Sequence, residues 1–146
     1  MDTIAIIGAG ELGATLAHTL ARTGRVGEIR LIDESVDVAA GKALDIRQSG
    51  PIEGSDVQIS AHPDFRAAHG ARVVAIADRV GASGEWSGDA GLALVKRLHQ
   101  QDSTATLLCA GALQRDLVER GVWELDRKST RLNSSHIQKS RMPSSA

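Results

Sequence analysis

Aromatic residues are almost missing from this chain: Phe65, Trp86 and Trp123 are all there are, without a tyrosine, 2% of 146 residues. That argues against the base-stacking surface used by single-stranded nucleic-acid binders. Cysteine is equally scarce. Cys109 stands alone, which excludes an internal disulfide or a cysteine zinc cluster and makes a reducing compartment the simpler reading. No apolar run approaches the roughly 20 residues needed to span a bilayer. Met1-Asp2-Thr3 lacks the basic start of a secretory signal. A cytoplasmic chain that meets neither membrane nor nucleic acid is expected. Large net charge is absent too: 17 Lys+Arg face 18 Asp+Glu, a balance of −1. With 42% hydrophobic residues, there is apolar material for one core, and the length suits one domain.

The near-neutral balance conceals an uneven split. Residues 127–146 hold five of the 17 basic groups and no acidic one, leaving 12 basic against 18 acidic in the first 126, a net of −6. That last stretch, RKSTRLNSSHIQKSRMPSSA, is rich in serine, poor in apolar residues and without hydrophobic period. Such a segment cannot bury enough surface to offset its ordering entropy. Its charges are too sparse for a phosphate-gripping tail. It has the look of a translated read-through tail, so the expected folded domain is 1–126, with 127–146 a disordered, non-native extension.

Within the first 126 residues, strands and helices alternate. Thr3–Ile7 is a short run dominated by β-branched residues and ended by glycines, suited to a strand buried on both faces. Leu12, Leu16 and Leu20 recur every four residues with alanines between them, a helix stopped at Thr23-Gly24. Glu28–Asp33 reads as a second strand, and Val36–Ser49 as a helix closed by Gly50-Pro51. Asp56–Ser60 alternates like an edge strand, and Pro63–His69 has room for one or two helical turns. Arg72–Ala77 is a further buried strand, Asp78–Gly88 a glycine-rich loop, and Leu92, Leu94, Val95 and Leu98 mark a helix ending near Gln101. Thr104–Cys109 and Leu113–Glu119 complete the series as strand and helix. This alternation implies an α/β fold, a doubly wound parallel sheet with helices on both faces.

Gly8-Ala9-Gly10-Glu11-Leu12-Gly13 joins the first strand directly to the first helix. Gly8 would permit the tight turn, Gly10 the approach of a pyrophosphate to the backbone, and Gly13 close packing of helix on strand. The phosphates would then face free N–H groups and the positive end of the helix dipole. Asp33 closes the second strand 20 residues beyond Gly13, where a carboxylate can take both hydroxyls of an adenosine ribose. The same carboxylate would repel a 2′-phosphate, so NAD is favoured over NADP. Against this stands a glycine-rich turn that binds nothing, with Asp33 a helix N-cap. Glu11 suits the helix dipole but would repel phosphates unless it points outward.

The other polar residues carry less. His18 lies among apolar helix positions and reads as packed or half-exposed. His62, His69 and His99 have no spacing that makes a metal site. Cys109 reads as a small buried hydrophobe. Asp78-Arg79 lies just beyond a strand's carboxyl end, where doubly wound sheets bind ligands; the competing reading is a local ion pair organising the loop.

The runs AIIGAGELGATLAHTLA, LIDE and GKALDI, with Pro51-Ile52-Glu53-Gly54 after them, resemble the amino-terminal NAD-binding domain of lactate and malate dehydrogenases, closer to the malate type. The likeness holds register from Thr3 to Ile76, and more loosely to Val122. It implies a Rossmann domain using NAD, with a small hydroxy or oxo acid as substrate of the intact parent and room for a homo-oligomer. The expected cofactor-binding set is Gly8, Gly10, Glu11, Leu12, Gly13, Asp33, Ala77, Asp78 and Arg79, with no catalytic residue and no metal ligand in this chain. Departures are equally plain. Ala77-Asp78-Arg79 stands for the family's Thr-Ala-Gly, Gly88 for a loop arginine that holds substrate carboxylates, and Ala110-Gly111 for an Asn-Pro pair. The family's Asp–His pair belongs to a carboxyl-terminal domain this sequence does not contain. The resemblance thus implies an NAD-dependent oxidoreductase whose cofactor domain alone has no turnover; the alternative is a non-catalytic dinucleotide-binding or interaction module.

Overall fold

The computed structural model describes residues 2–53, 56–81 and 84–132. Five strands, β1 (Thr3–Ile7), β2 (Glu28–Ile32), β3 (Gln58–His62), β4 (Val73–Ile76) and β5 (Thr106–Cys109), form one sheet in the order β3-β2-β1-β4-β5. Every pairing is parallel. The helices are α1 (Glu11–Thr23), α2 (Val36–Glu53), α3 (Gly88–Gln101) and α4 (Arg115–Leu132), with a 3-10 turn over Phe65–Ala68. This is the Rossmann arrangement, and the chain reverses direction across the sheet between β1 and β4.

The period-2 alternation of β1 decides the layers. Ile6 points to one face, where Ala17 and Ala21 of α1, Ala39 and Ala43 of α2, and Ile29 and Leu31 of β2 make a first core cluster. Ala5 and Ile7 point to the other, with Val74, Ile76, Leu94, Leu98 and Leu117. Both faces of β1 are therefore buried, as suits a strand dominated by β-branched residues with no polar alternation. α1 ends where Gly24 takes a left-handed φ of 69° and returns its N–H to the Ala21 carbonyl, a turn glycine makes without Cβ strain.

Several boundaries differ from expectation. β3 begins two residues later than the alternation suggests, because its register follows β2, pairing Glu28 with Gln58 and Ile32 with His62. It is an edge strand as expected. α2 runs through Gly50-Pro51 to Glu53: a proline there forgoes one amide bond without being incompatible with helical φ. β5 starts at Thr106, two residues late, and its burial alternates as on a half-covered edge. α4 begins at Arg115 and continues past the Asp126 boundary to Leu132. The rest of the basic tail, 133–146, lies outside the described residues, as does Gly54 of the Pro-Ile-Glu-Gly run.

Candidate functional site

The carboxyl ends of β1, β2 and β4 converge where the strand order reverses. Leaving β1, Gly8 adopts φ 115° and donates its N–H to the Ile32 carbonyl at 2.6 Å; only glycine takes that φ without strain. α1 then starts at Glu11 with no side-chain cap from Gly10. A Cβ on Gly13 would land on the Gly8 carbonyl oxygen, and one on Gly10 would meet the Asp78 carboxylate. The tight strand–helix join read from the glycine spacing is present, while the approach to the backbone at Gly10 is taken by the Asp78 carboxylate. Glu11 is exposed, which meets the condition set by its charge.

Helix heads leave amides without intrahelical partners. Here Asp78 takes them: its Oδ2 accepts from Leu12 N at 2.9 Å and its Oδ1 from Gly13 N at 2.7 Å. Its main-chain carbonyl accepts from Gly10 N at 3.0 Å. An anionic oxygen pair thus already rests on the amide cradle, stabilised by charge-assisted bonds and the helix dipole. The local Asp78–Arg79 ion pair weighed from sequence is not formed. Arg79 turns onto Trp86 instead, its guanidinium carbon 4.2 Å from the ring centroid, a cation–π contact.

Asp33 is 7% exposed, and its carboxylate collects three backbone amides. Oδ2 accepts from Ala9 N at 2.9 Å and Val80 N at 3.0 Å, and Oδ1 from Ser35 N at 2.9 Å. It therefore ties the glycine turn, the head of α2 and the loop after β4 to one point, rather than capping α2, which begins at Val36. Lys42, from the Gly-Lys-Ala-Leu-Asp run, donates Nζ to the Ala9 carbonyl at 2.8 Å and supports the turn from α2.

The loop after β4 is strapped back over the sheet. Ala77 is fully buried, its carbonyl accepts from Trp86 N at 3.0 Å, and Asp78 and Glu85 form an antiparallel bridge. Two residues that the sequence reading passed over hold this loop. Buried Gln114 donates Nε2 to the carbonyls of Ala77 at 3.2 Å and Trp86 at 2.8 Å, and accepts from Gly111 N at 2.8 Å. Glu85 Oε1 accepts from Leu113 N at 3.0 Å. The only hint in sequence is a polar residue immediately before an amphipathic helix. Gly88, at the position expected of a loop arginine, opens α3 with φ 61°. Gly111, in place of a family proline, leaves the space that the Glu85 carboxylate fills.

Beside the cradle, on the α3 side, lies a cavity of about 610 Å³ walled by Asp33, Glu34, Phe65, Arg79, Trp86 and Leu94 among others. It is nucleoside-sized, with an acidic rim at Asp33-Glu34 and buried, unpartnered N–H groups at Arg79 Nε and Trp86 Nε1. The histidines stay apart from it: His62 Nε2 pairs with Ser60 Oγ at 2.9 Å, and His18 is half-buried on α1. No group of three potential metal ligands occurs among the described residues. Burial pushes the Cys109 thiol up from its ordinary value. Of the expected set, Gly8, Gly10, Leu12, Gly13, Asp33, Ala77, Asp78 and Arg79 all come together here, with Glu11 at the edge.

The arrangement has close relatives. The chain is 42% identical over 73 residues to the malate dehydrogenase of Roseiflexus sp. (strain RS-1), covering 50% of this chain and 23% of that protein. Its fold superposes on the malate dehydrogenase of Salinibacter ruber with a TM-score of 0.61 and 26% identity, over 76% of this chain and 37% of that one. Against the Plasmodium falciparum malate dehydrogenase in complex with NADH the TM-score is 0.62 at 25% identity, over 73% of this chain and 34% of that one. The chain thus spans under a quarter of the curated relative and little more than a third of the solved ones. The family described as the lactate/malate dehydrogenase NAD binding domain matches residues 2–97, more than half of the sequence, and the chain belongs to it.

Proposed function

We propose that this chain binds NAD as the cofactor domain of an oxidoreductase acting on the CH–OH group of a small hydroxy acid, and that it turns nothing over alone. One observation carries the reading. The Leu12 and Gly13 amides point together at one anionic group, here the chain's own Asp78 carboxylate at 2.9 and 2.7 Å, beside a cavity rimmed by buried Asp33. The residues present fit the cofactor: the amides would take its diphosphate, and the cavity its adenosine, with Asp33 and Glu34 toward the ribose. A 2′-phosphate there would meet two carboxylates, which favours NAD over NADP. When bound, the nicotinamide supplies a hydride acceptor or donor. This chain's residues bind and orient; Arg79 and Trp86, stacked on one another, form part of the cavity wall.

Calorimetric titration with NAD and NADP, on the native chain and Asp33→Ala, tests the assignment. Saturable NAD binding is expected, weakened in the variant, with a smaller margin over NADP. An equal affinity for both coenzymes in the native chain contradicts it.

Gly88 and Ala110-Gly111 favour a second reading, a dinucleotide-binding module without catalysis. Arg79, a guanidinium in the cavity wall, is committed to Trp86 at 4.2 Å and gives no bidentate clamp for a carboxylate. Oxidation of malate or lactate by the intact parent separates the two readings. With either reading we propose a cytoplasmic location, which the lone Cys109 suits. No helix among the described residues is long and apolar enough to cross a membrane.

A further inference from the structure

We propose that Asp78 is a tethered competitor for the diphosphate cradle, so that the resting chain admits an uncharged nucleoside and admits a dinucleotide only after Asp78 swings away. The inference rests on the NAD reading above and adds a constraint which the glycine motif does not contain.

Three observations support it. The Asp78 carboxylate accepts from both Leu12 N and Gly13 N, the amides a diphosphate oxygen needs. It also fills the space next to Gly10 that a Cβ would otherwise enter, which is where the missing side chain leaves room for a phosphate. And it is anchored rather than floating: its carbonyl accepts from Gly10 N at 3.0 Å, Arg79 N bonds the Gly84 carbonyl at 2.9 Å, and Asp78 bridges to Glu85. The adjoining cavity stays open meanwhile, lined by Asp33, Phe65 and Trp86. A phosphate entering now would meet like charge at hydrogen-bond distance and find its donors taken. A nucleoside would meet neither obstacle. Discrimination by an internal anion of this kind acts by repulsion, not by a missing contact.

The test titrates the full chain with NADH and separately with adenosine, following tryptophan emission and heat, for native protein, Asp78→Asn and Asp78→Ala. Asp78→Asn keeps a side-chain carbonyl for one amide, so it guards against loss of fold in Asp78→Ala; circular dichroism checks both. NADH binding is expected to tighten at least about tenfold in Asp78→Ala and by less in Asp78→Asn, with adenosine binding unchanged in all three. NADH affinity equal or weaker in both variants, with the native chain still binding NADH, overturns the competitor role and leaves the NAD reading intact. Failure of all three proteins to bind NADH at millimolar concentration overturns both.

Discussion

Gln114 Nε2 donates to the Trp86 carbonyl at 2.8 Å, joining the residue before α4 to the loop that enters α3. The side chain is 1% exposed; it donates both Nε2 hydrogens, to the Ala77 and Trp86 carbonyls, and accepts one bond at Oε1, from Gly111 N. The Trp86 part of the cavity wall is therefore held by the second half of the chain, outside the segment of closest family likeness. Gln114→Leu keeps the volume and strands those groups. Urea unfolding is expected to show a loss of about 2–3 kcal/mol, with Trp86 emission shifted to the red. A stability unchanged within error contradicts the strap.

Gly13 packs α1 on the strand it follows, with no space for a side chain before the Gly8 carbonyl oxygen. Because that neighbour is backbone, Gly13→Ala has to move the helix. A loss of about 2 kcal/mol is expected, together with weakened NADH binding as the Leu12 and Gly13 amides shift. Gly41→Ala is the control: nothing lies within contact of its Cβ, and alanine in a helix gains stability.

Arg30 beside Glu28, Nε to Oε2 at 3.3 Å, holds the Glu28 carboxyl below its ordinary value of 4.5, with a Thr3 hydroxyl bond adding to the effect. The folded chain therefore keeps this group ionised to lower pH than the unfolded chain. Its contribution to stability is complete above the ordinary value and disappears as the pH falls through the lowered one. In Glu28→Gln a deficit under about 1 kcal/mol is expected at pH 7, since the pair is partly solvated, shrinking as the pH falls below 4.5. A deficit that does not change as the solution is acidified contradicts the pairing.

Cys109 ends β5 half-buried, and burial raises its thiol above the ordinary range. Thiolate is the reactive form. Alkylation by iodoacetamide at pH 7.5 is expected to run several-fold slower than for the urea-unfolded chain. Equal rates contradict the burial.

How far the sequence alone reaches depends on the range of the contacts. β1, α1 and β2 are legible to within a residue, because a buried β-branched run, a leucine repeat and the Gly24 stop are local signals. The meeting of Gly8, Gly13 and Asp33 is legible too, since strand–turn–helix geometry brings it about. The onset of β3 is not: alternation from Asp56 is continuous, and pairing with β2 selects the register. Nor is the Asp78 cap, whose partner Gly13 lies 65 residues away, or the burial of Gln114, set by tertiary packing on the Ala77 and Trp86 carbonyls. At three of the departures from the family pattern, Asp78, Arg79 and Gly111, sequence shows a difference but only structure shows its partner.

Amide chemical-shift mapping of the nitrogen-15-labelled chain during titration with NADH tests the cofactor assignment most directly. Saturable shifts are expected at Gly8, Gly10, Leu12 and Gly13, with the Ala9 and Val80 amides that Asp33 holds following them at one common dissociation constant. Unmoved resonances at Leu12 and Gly13 under millimolar NADH contradict it.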